Sequence, residues 1–232
     1  MAYLPAFDAA AAADVLARFL ASYARRGGVG GFVLGLSGGV DSAVVAGLAA
    51  RAVGPENVLG LVLPHRESDP TDAAHARLVA ERLGVATETV DVTPVVEAVR
   101  AGCGHAFEGV ALGNLKARAR MLVLYAHANA AGRLVLGTGN KSELLQGYFT
   151  KYGDGAADVY PIGDVYKTNV WDLARHLGVP EPVVAKPPSA GLHPGQTDEA
   201  EMGVRYKDLD EVLAGLEAVS YTHLTLPTTE RV

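Results

Sequence analysis

Apolar positions along the chain change period several times. Between residues 8 and 26 they recur at helical spacing (Ala12, Val15, Phe19, Tyr23), and Gly27 and Gly28 stop the run, which predicts a helix. "GFVLGL" (31–36) is a short apolar run bounded by glycine and reads as a buried parallel strand. Helices are predicted over 42–53, 71–83 and 114–131, and strands over 57–64, 85–92 and 133–139. Strands alternating with helices of about a dozen residues predict a parallel α/β sheet covered on both faces. Ligands of such sheets sit beyond the carboxyl ends of the strands. That rule singles out "SGGVDS" after Leu36, "PHRESDPTD" after Leu63 and "GTGNKSE" after Leu136, all unusually polar.

After Lys141 the pattern loosens. Residues 144–168, "LLQGYFTKYGDGAADVYPIGDVYKT", are rich in tyrosine and glycine with little periodicity, as expected of a binding loop. A helix is predicted over 168–177, an irregular Pro/Gly-rich stretch over 179–201, and a last amphipathic helix over 208–219. The predicted organisation is one domain over 1–219 and an atypical tail, disordered or non-native, over 220–232. That tail holds four threonines in thirteen residues, against eight in the preceding 219.

Composition narrows the function classes. A net charge of −6 argues against a bulk nucleic-acid binder, while leaving a local anion site open. Cys103 is the one cysteine, so no intrachain disulfide forms; with Gly102, Gly104 and His105 beside it, it reads as a loop thiol in a reducing cytoplasm. No apolar run reaches the ~18 residues of a membrane span. The start "MAYLPAFDAA" lacks the basic and apolar regions of a secretory signal. The histidines lack ligand spacing, so no zinc site is expected.

The strand–"SGGVDS"–helix unit is a phosphate cradle. First-turn N–H groups lack partners, Gly38 and Gly39 permit close approach, and Ser37 and Ser42 add hydroxyls. It lacks the lysine of a G-x-x-x-x-G-K-[ST] loop, which argues against γ-phosphate transfer by that route. Asp41 has two readings: a Mg²⁺ ligand between protein and phosphate, or an acid favoured by the helix dipole.

"SGGVDS" resembles the pyrophosphatase loop of the ATP pyrophosphatases, which cleave ATP to AMP and pyrophosphate. "GNLKARARM", "LGTGNKSELLQGYFTKYGDGAADVYPIGDVYKT" and "KPPSAGL" narrow the resemblance to the ammonia-dependent NAD synthetases, over roughly residues 7–216. The resemblance implies a Rossmann-like, three-layer fold of the adenine nucleotide alpha hydrolase type and a cytoplasmic homodimer. It also implies a reaction: deamido-NAD, ATP and ammonia give NAD, AMP and pyrophosphate through an acyl-adenylate. Carried over, Gly35, Leu36, Ser37, Gly38, Gly39, Val40, Asp41, Ser42, Thr138, Lys167 and Ser189 bind ATP. Asp41 and Glu143 bind Mg²⁺, and Arg118, Lys151 and Asp158 bind deamido-NAD. Asp41, Lys151 and Lys167 stand closest to the chemistry, the two lysines supplying the positive charge that the loop omits.

Other readings of these residues stand beside those roles. Arg118 also reads as a solvated cation, and Asp158 as a residue ordering a glycine-rich loop. Tyr148, Phe149 and Tyr152 read as ring-stacking or core residues, and Arg66 as a further ATP contact. In that family a basic segment with a His-Lys pair closes over the substrate, and "THLTLPTTERV" has no equivalent pair. Two alternatives remain: another amidating or thiolating ATP pyrophosphatase, and a nucleotide-binding homologue without turnover.

Overall fold

Strands β1 (Phe32–Gly35), β2 (Val58–Val62), β3 (Ala86–Thr89) and β4 (Leu134–Leu136) form one parallel sheet in the order β3-β2-β1-β4. The computed structural model describes residues 3–192 and 195–225, of which 220–225 are described by backbone alone. Alternation along the strands sorts side chains to two faces. Phe32, Leu34 and Val62 enter a core with α1 (Ala9–Gly27), α2 (Val40–Val53), α3 (Pro70–Leu83), α7 (Lys167–His176) and α8 (Glu181–Val184). Val33, Leu61 and Val135 enter a second core under α4 (Thr93–Cys103) and α5 (Gly109–Ala131). The expected covered parallel sheet is the observed one.

Local chemistry sets several boundaries. Asp8 accepts the Ala10 and Ala11 N–H groups and starts α1; Asp69 accepts from Thr71 and, with Pro70, starts α3. Three short helices complete the chain between β4 and its end: α6 (Lys141–Gln146), α8, and α9 (Asp198–Met202). The last helix, α10 (Tyr206–Thr225), buries Tyr206, Leu209 and Leu213 against Tyr166 and Trp171 in a third cluster.

Several expectations need correction. Residues 93–103 form α4, and Cys103 is its exposed last residue instead of a loop thiol. The run of valines masks the helix, while Pro94 is tolerated in its first turn. The stretches expected to be irregular contain α6, α8 and α9, each too short to show periodicity. α10 continues through Thr225 into the segment read as an atypical tail; residues 226–232 lie outside the described residues. No described helix is long and apolar enough to cross a membrane.

Candidate nucleotide-binding site

The strand order reverses at β1, with β2 on one side and β4 on the other. Loops leaving the carboxyl ends of two such strands diverge and open a crevice. The pairing of Leu34 with Leu136 sets residues 137–140 beside residues 36–39. A cavity of about 930 Å³ lies here, within the roughly 300–1,000 Å³ of ligand sites. Gly35, Leu36, Ser37, Gly39, Val40, Asp41, Ser42, Thr138, Glu143, Lys167 and Ser189 all line it. Of the residues expected at ATP, Gly38 alone is not on that wall. Its φ is +77°, and a Cβ there would collide with the Asp72 carbonyl, so it shapes the loop from behind.

The loop is held by its own serines. Ser42 Oγ donates to the Gly39 carbonyl at 3.0 Å and accepts Ser37 N–H at 3.2 Å, and the two hydroxyls lie 3.1 Å apart. Gly39, the cap of α2, has no side chain to offer the first-turn N–H groups. The positive end of α2 is therefore turned toward the cavity without a side-chain cap, and Asp41 in its first turn is held aside by Asn140 and Lys167.

α6 starts with a reciprocal cap that sequence reasoning missed, although the N-x-x-E spacing signals it. Asn140 Oδ1 accepts Glu143 N–H at 3.0 Å, and Glu143 Oε2 accepts Asn140 N–H at 3.1 Å. Asn140 Nδ2 also donates to Asp41 Oδ1 at 3.0 Å. Asn140 thus orients both carboxylates.

Lys167 completes the cluster. It is 1% exposed, and its Nζ lies 2.5 Å from Asp41 Oδ2, 3.6 Å from Glu143 Oε1 and 5.1 Å from the Tyr206 ring centroid. Burial opposes its charge, but Asp41 and then Glu143 outweigh burial and raise its pKa. Burial first, and then Asp41, hold the Glu143 carboxyl well above the ordinary carboxylate range. Beyond Lys167, α9 adds Asp198, 3% exposed, which accepts from the Tyr206 hydroxyl at 3.0 Å; Tyr148 hydroxyl sits between Asp198 and Glu201. Asp198, Glu201 and Tyr148 line the cavity, and the two acids went unread in the sequence because α9 is a single turn.

The far wall is the segment between α8 and α9. Lys186 pairs with Asp72, and buried Lys116 bonds Glu67 at 2.5 Å and the Leu192 carbonyl at 3.0 Å. Arg120, missed in the sequence, also faces the cavity and donates to the Leu63 carbonyl at 3.0 Å.

Arg118, Lys151 and Asp158 lie elsewhere. None lines the cavity; Arg118 Nε donates to the Lys151 carbonyl at 3.1 Å, and Lys151 Nζ lies 5.0 Å from the Tyr152 ring centroid. Asp158 accepts Val135 N–H at 2.8 Å at the outer edge of β4, and the Tyr125 hydroxyl at 3.3 Å. Arg118 and Tyr125 are seven residues apart on α5 and share a face, so the three expected dinucleotide residues cluster along one side of that helix. Tyr148 and Phe149 line the cavity, whereas Tyr152 is 63% exposed at a φ of +61°. Arg66 is exposed and paired with Glu97 at 2.6 Å, away from the cavity.

The donor set fits Mg²⁺. Two carboxylates from different strand ends converge at the mouth of a phosphate-type loop, and Mg²⁺ is usually held by one or two carboxylates plus phosphate oxygens and water.

The chain is similar to known proteins over most of its length. The chain is 50% identical over 208 residues to an NH3-dependent NAD(+) synthetase of Thermococcus kodakarensis, covering 90% of this chain and 81% of that protein. Its fold matches the NMN synthetase of Francisella tularensis with a TM-score of 0.87 at 38% identity, over 98% of this chain and 100% of that one. It also matches the NH3-dependent NAD synthetase of Campylobacter jejuni with a TM-score of 0.79 at 33% identity, over 97% and 90%. With the NAD synthase family profile matching residues 12–228, the chain belongs to the NAD synthase family.

Proposed function

We propose that the protein converts deamido-NAD, ATP and ammonia to NAD, AMP and pyrophosphate. The observation that carries this reading is the convergence of Asp41, Glu143 and Lys167 beyond a lysine-free phosphate loop at the point where the strand order reverses. Asp41, Glu143 and Asp198 present three carboxyl groups to the Lys167 ammonium, and burial raises the pKa of Glu143 and Asp198, so a cation entering with the polyphosphate favours their ionised forms. A Mg²⁺ held by Asp41 and Glu143 is that cation.

In the first step the nicotinate carboxylate oxygen attacks the α-phosphorus of ATP. The bond from that phosphorus to the β-bridging oxygen breaks, and pyrophosphate leaves. The α2 N-terminus and the Ser37 and Ser42 hydroxyls receive phosphate oxygens, and Lys167, kept protonated by its carboxylates, faces the charge growing on the leaving group. Ammonia then attacks the acyl carbon, the bond to AMP breaks, and the surplus proton leaves with solvent. Adenylation is needed because a carboxylate is a poor electrophile. Arg118, Lys151 and Asp158 hold the dinucleotide from the α5 side, and Ser189 and Thr138 complete the ATP contacts. Exposed Val110 and Leu122, on the same helix as Arg118, support a homodimer in this reading.

The match to an NMN synthetase over the whole of that chain favours a second reading, in which nicotinate mononucleotide is the acid amidated. One assay separates the two. The purified protein is given ATP, Mg²⁺ and ammonium with either deamido-NAD or nicotinate mononucleotide, and the products are resolved by chromatography. NAD with AMP and pyrophosphate is the expected outcome; NMN formed with the higher kcat/KM selects the second reading. ADP as the nucleotide product refutes adenylation.

A further inference from the structure

α7 begins without a cap of its own, because Tyr166 makes no capping hydrogen bond. The cap comes from α10. Asp210 is fully buried, and its Oδ2 accepts the Thr168 N–H at 2.9 Å and the Thr168 hydroxyl at 2.8 Å. Its Oδ1 accepts the Ser142 hydroxyl, and Ser142 Oγ accepts Lys167 N–H at 2.9 Å. One carboxylate therefore satisfies two first-turn N–H groups of α7, one directly and one through Ser142. It also ties that turn to α6, so the helices that carry Lys167 and Glu143 are joined at their starts.

All of the donors to Asp210 among the described residues are uncharged. A buried carboxylate is an expensive way to latch two helices, since a neutral polar or apolar pair would pack with less desolvation. Its charge is favoured here because it stands at the positive end of α7. One turn earlier on α10, Tyr206 lays its ring near Lys167 Nζ and donates its hydroxyl to Asp198. Positions 206 and 210 share a face of the helix, and that face meets the cluster twice.

We propose that Asp210 is a positioning residue for the adenylation site: by capping α7 and tying it to α6 it holds Lys167 Nζ between Asp41 and Glu143. This rests on the reading that Lys167 faces the phosphates. Asp210→Asn keeps the shape but removes the charge and one acceptor. Its kcat is expected to fall about 10- to 100-fold, the range typical of residues supporting a site from behind. KM for the dinucleotide and the circular dichroism spectrum stay as in the wild type, and Asp208→Asn, on the exposed side of α10, leaves turnover unchanged. In a Lys167→Met background, Asp210→Asn adds no further loss.

A readout independent of activity is lysine acetylation by acetic anhydride, followed by peptide mass. Lys167 and Lys116 are both buried, at 1% and 2% exposure, in different parts of the fold. In Asp210→Asn, Lys167 becomes reactive while Lys116 stays protected. Wild-type kcat, unchanged protection of Lys167, or parallel opening of Lys116 overturns the proposal. If Asp210→Asn does not fold, Ser142→Ala cuts one arm of the same latch and must show the same selective opening of Lys167. Absence of NAD synthesis by the wild-type protein refutes the function, and the acetylation result still decides the role of Asp210.

Discussion

Replacing Lys167 by Met tests whether the base of the cavity is a balanced charge cluster. Methionine keeps most of the stem volume but leaves Asp41 and Glu143 without the ammonium at 2.5 and 3.6 Å. At an effective dielectric of about 20, the Asp41 separation corresponds to an attraction of about 7 kcal/mol before desolvation, and Glu143 adds about 5 kcal/mol only to the extent that it is ionised. Desolvation of Lys167 itself offsets much of that sum, and removing one partner from a buried ion cluster costs about 3–5 kcal/mol net. For a domain of this size, the loss lowers the melting temperature by roughly 6–20 °C.

The assay is thermal and urea unfolding followed by circular dichroism, in EDTA and without nucleotide. Removing Glu143 as well leaves fewer orphaned charges, so Lys167→Met combined with Glu143→Gln is expected to recover at least half of the loss. The pH dependence has a fixed sign. Glu143 already has a raised folded pKa, and loss of Lys167 raises it further. A carboxyl raised on folding holds a proton that the unfolded chain releases, so its stability contribution is lost as pH rises. The deficit of Lys167→Met is therefore smallest near pH 5 and grows toward pH 8. A deficit under about 1 kcal/mol at pH 7.5 refutes the reasoning, because it falls below the range for a broken buried cluster. A double variant no more stable than Lys167→Met refutes it equally.

The same sign applies to the wild type. Without metal, its stability is expected to fall as pH rises through the titration of Glu143, by at most about 1.4 kcal/mol per pH unit from that one group. Glu143→Gln removes that slope, and Mg²⁺ added at pH 8 raises the melting temperature of the wild type alone; equal Mg²⁺ shifts in both proteins exclude Glu143 as a ligand. Gly38→Ala is expected to weaken ATP binding at least tenfold by calorimetry, since φ of +77° and the Asp72 carbonyl leave no place for the methyl. Binding within twofold of wild type excludes strain in the loop. Asp158→Ala leaves Val135 N–H at the edge of β4 without its acceptor and is expected to lower stability by about 1 kcal/mol. Unchanged urea unfolding with a raised KM for deamido-NAD assigns that carboxylate to substrate alone.

What the sequence disclosed and what it hid divide along one physical line. Phe32, Leu34 and Leu136 announce buried parallel strands by composition, and the rule for strand ends then points at Asp41 and Glu143 without knowledge of any partner. The loop of Ser37 to Ser42 is legible because its hydrogen bonds close within six residues. Lys167 was legible only by resemblance. An isolated lysine before a short helix reads as solvated, and its burial depends on Tyr206, 39 residues later in the chain. Asp210 was hidden more completely, for it lies 68 residues from Ser142 and on a helix where acidic side chains usually face water. Helical spacing says nothing about which wall a long cation faces: Arg118 lies off the cavity and donates to the Lys151 carbonyl. Short-range chemistry therefore named the phosphate loop. The charge balance that makes the loop usable is carried by contacts spanning the second half of the chain, and those become visible only when α7 and α10 are packed together.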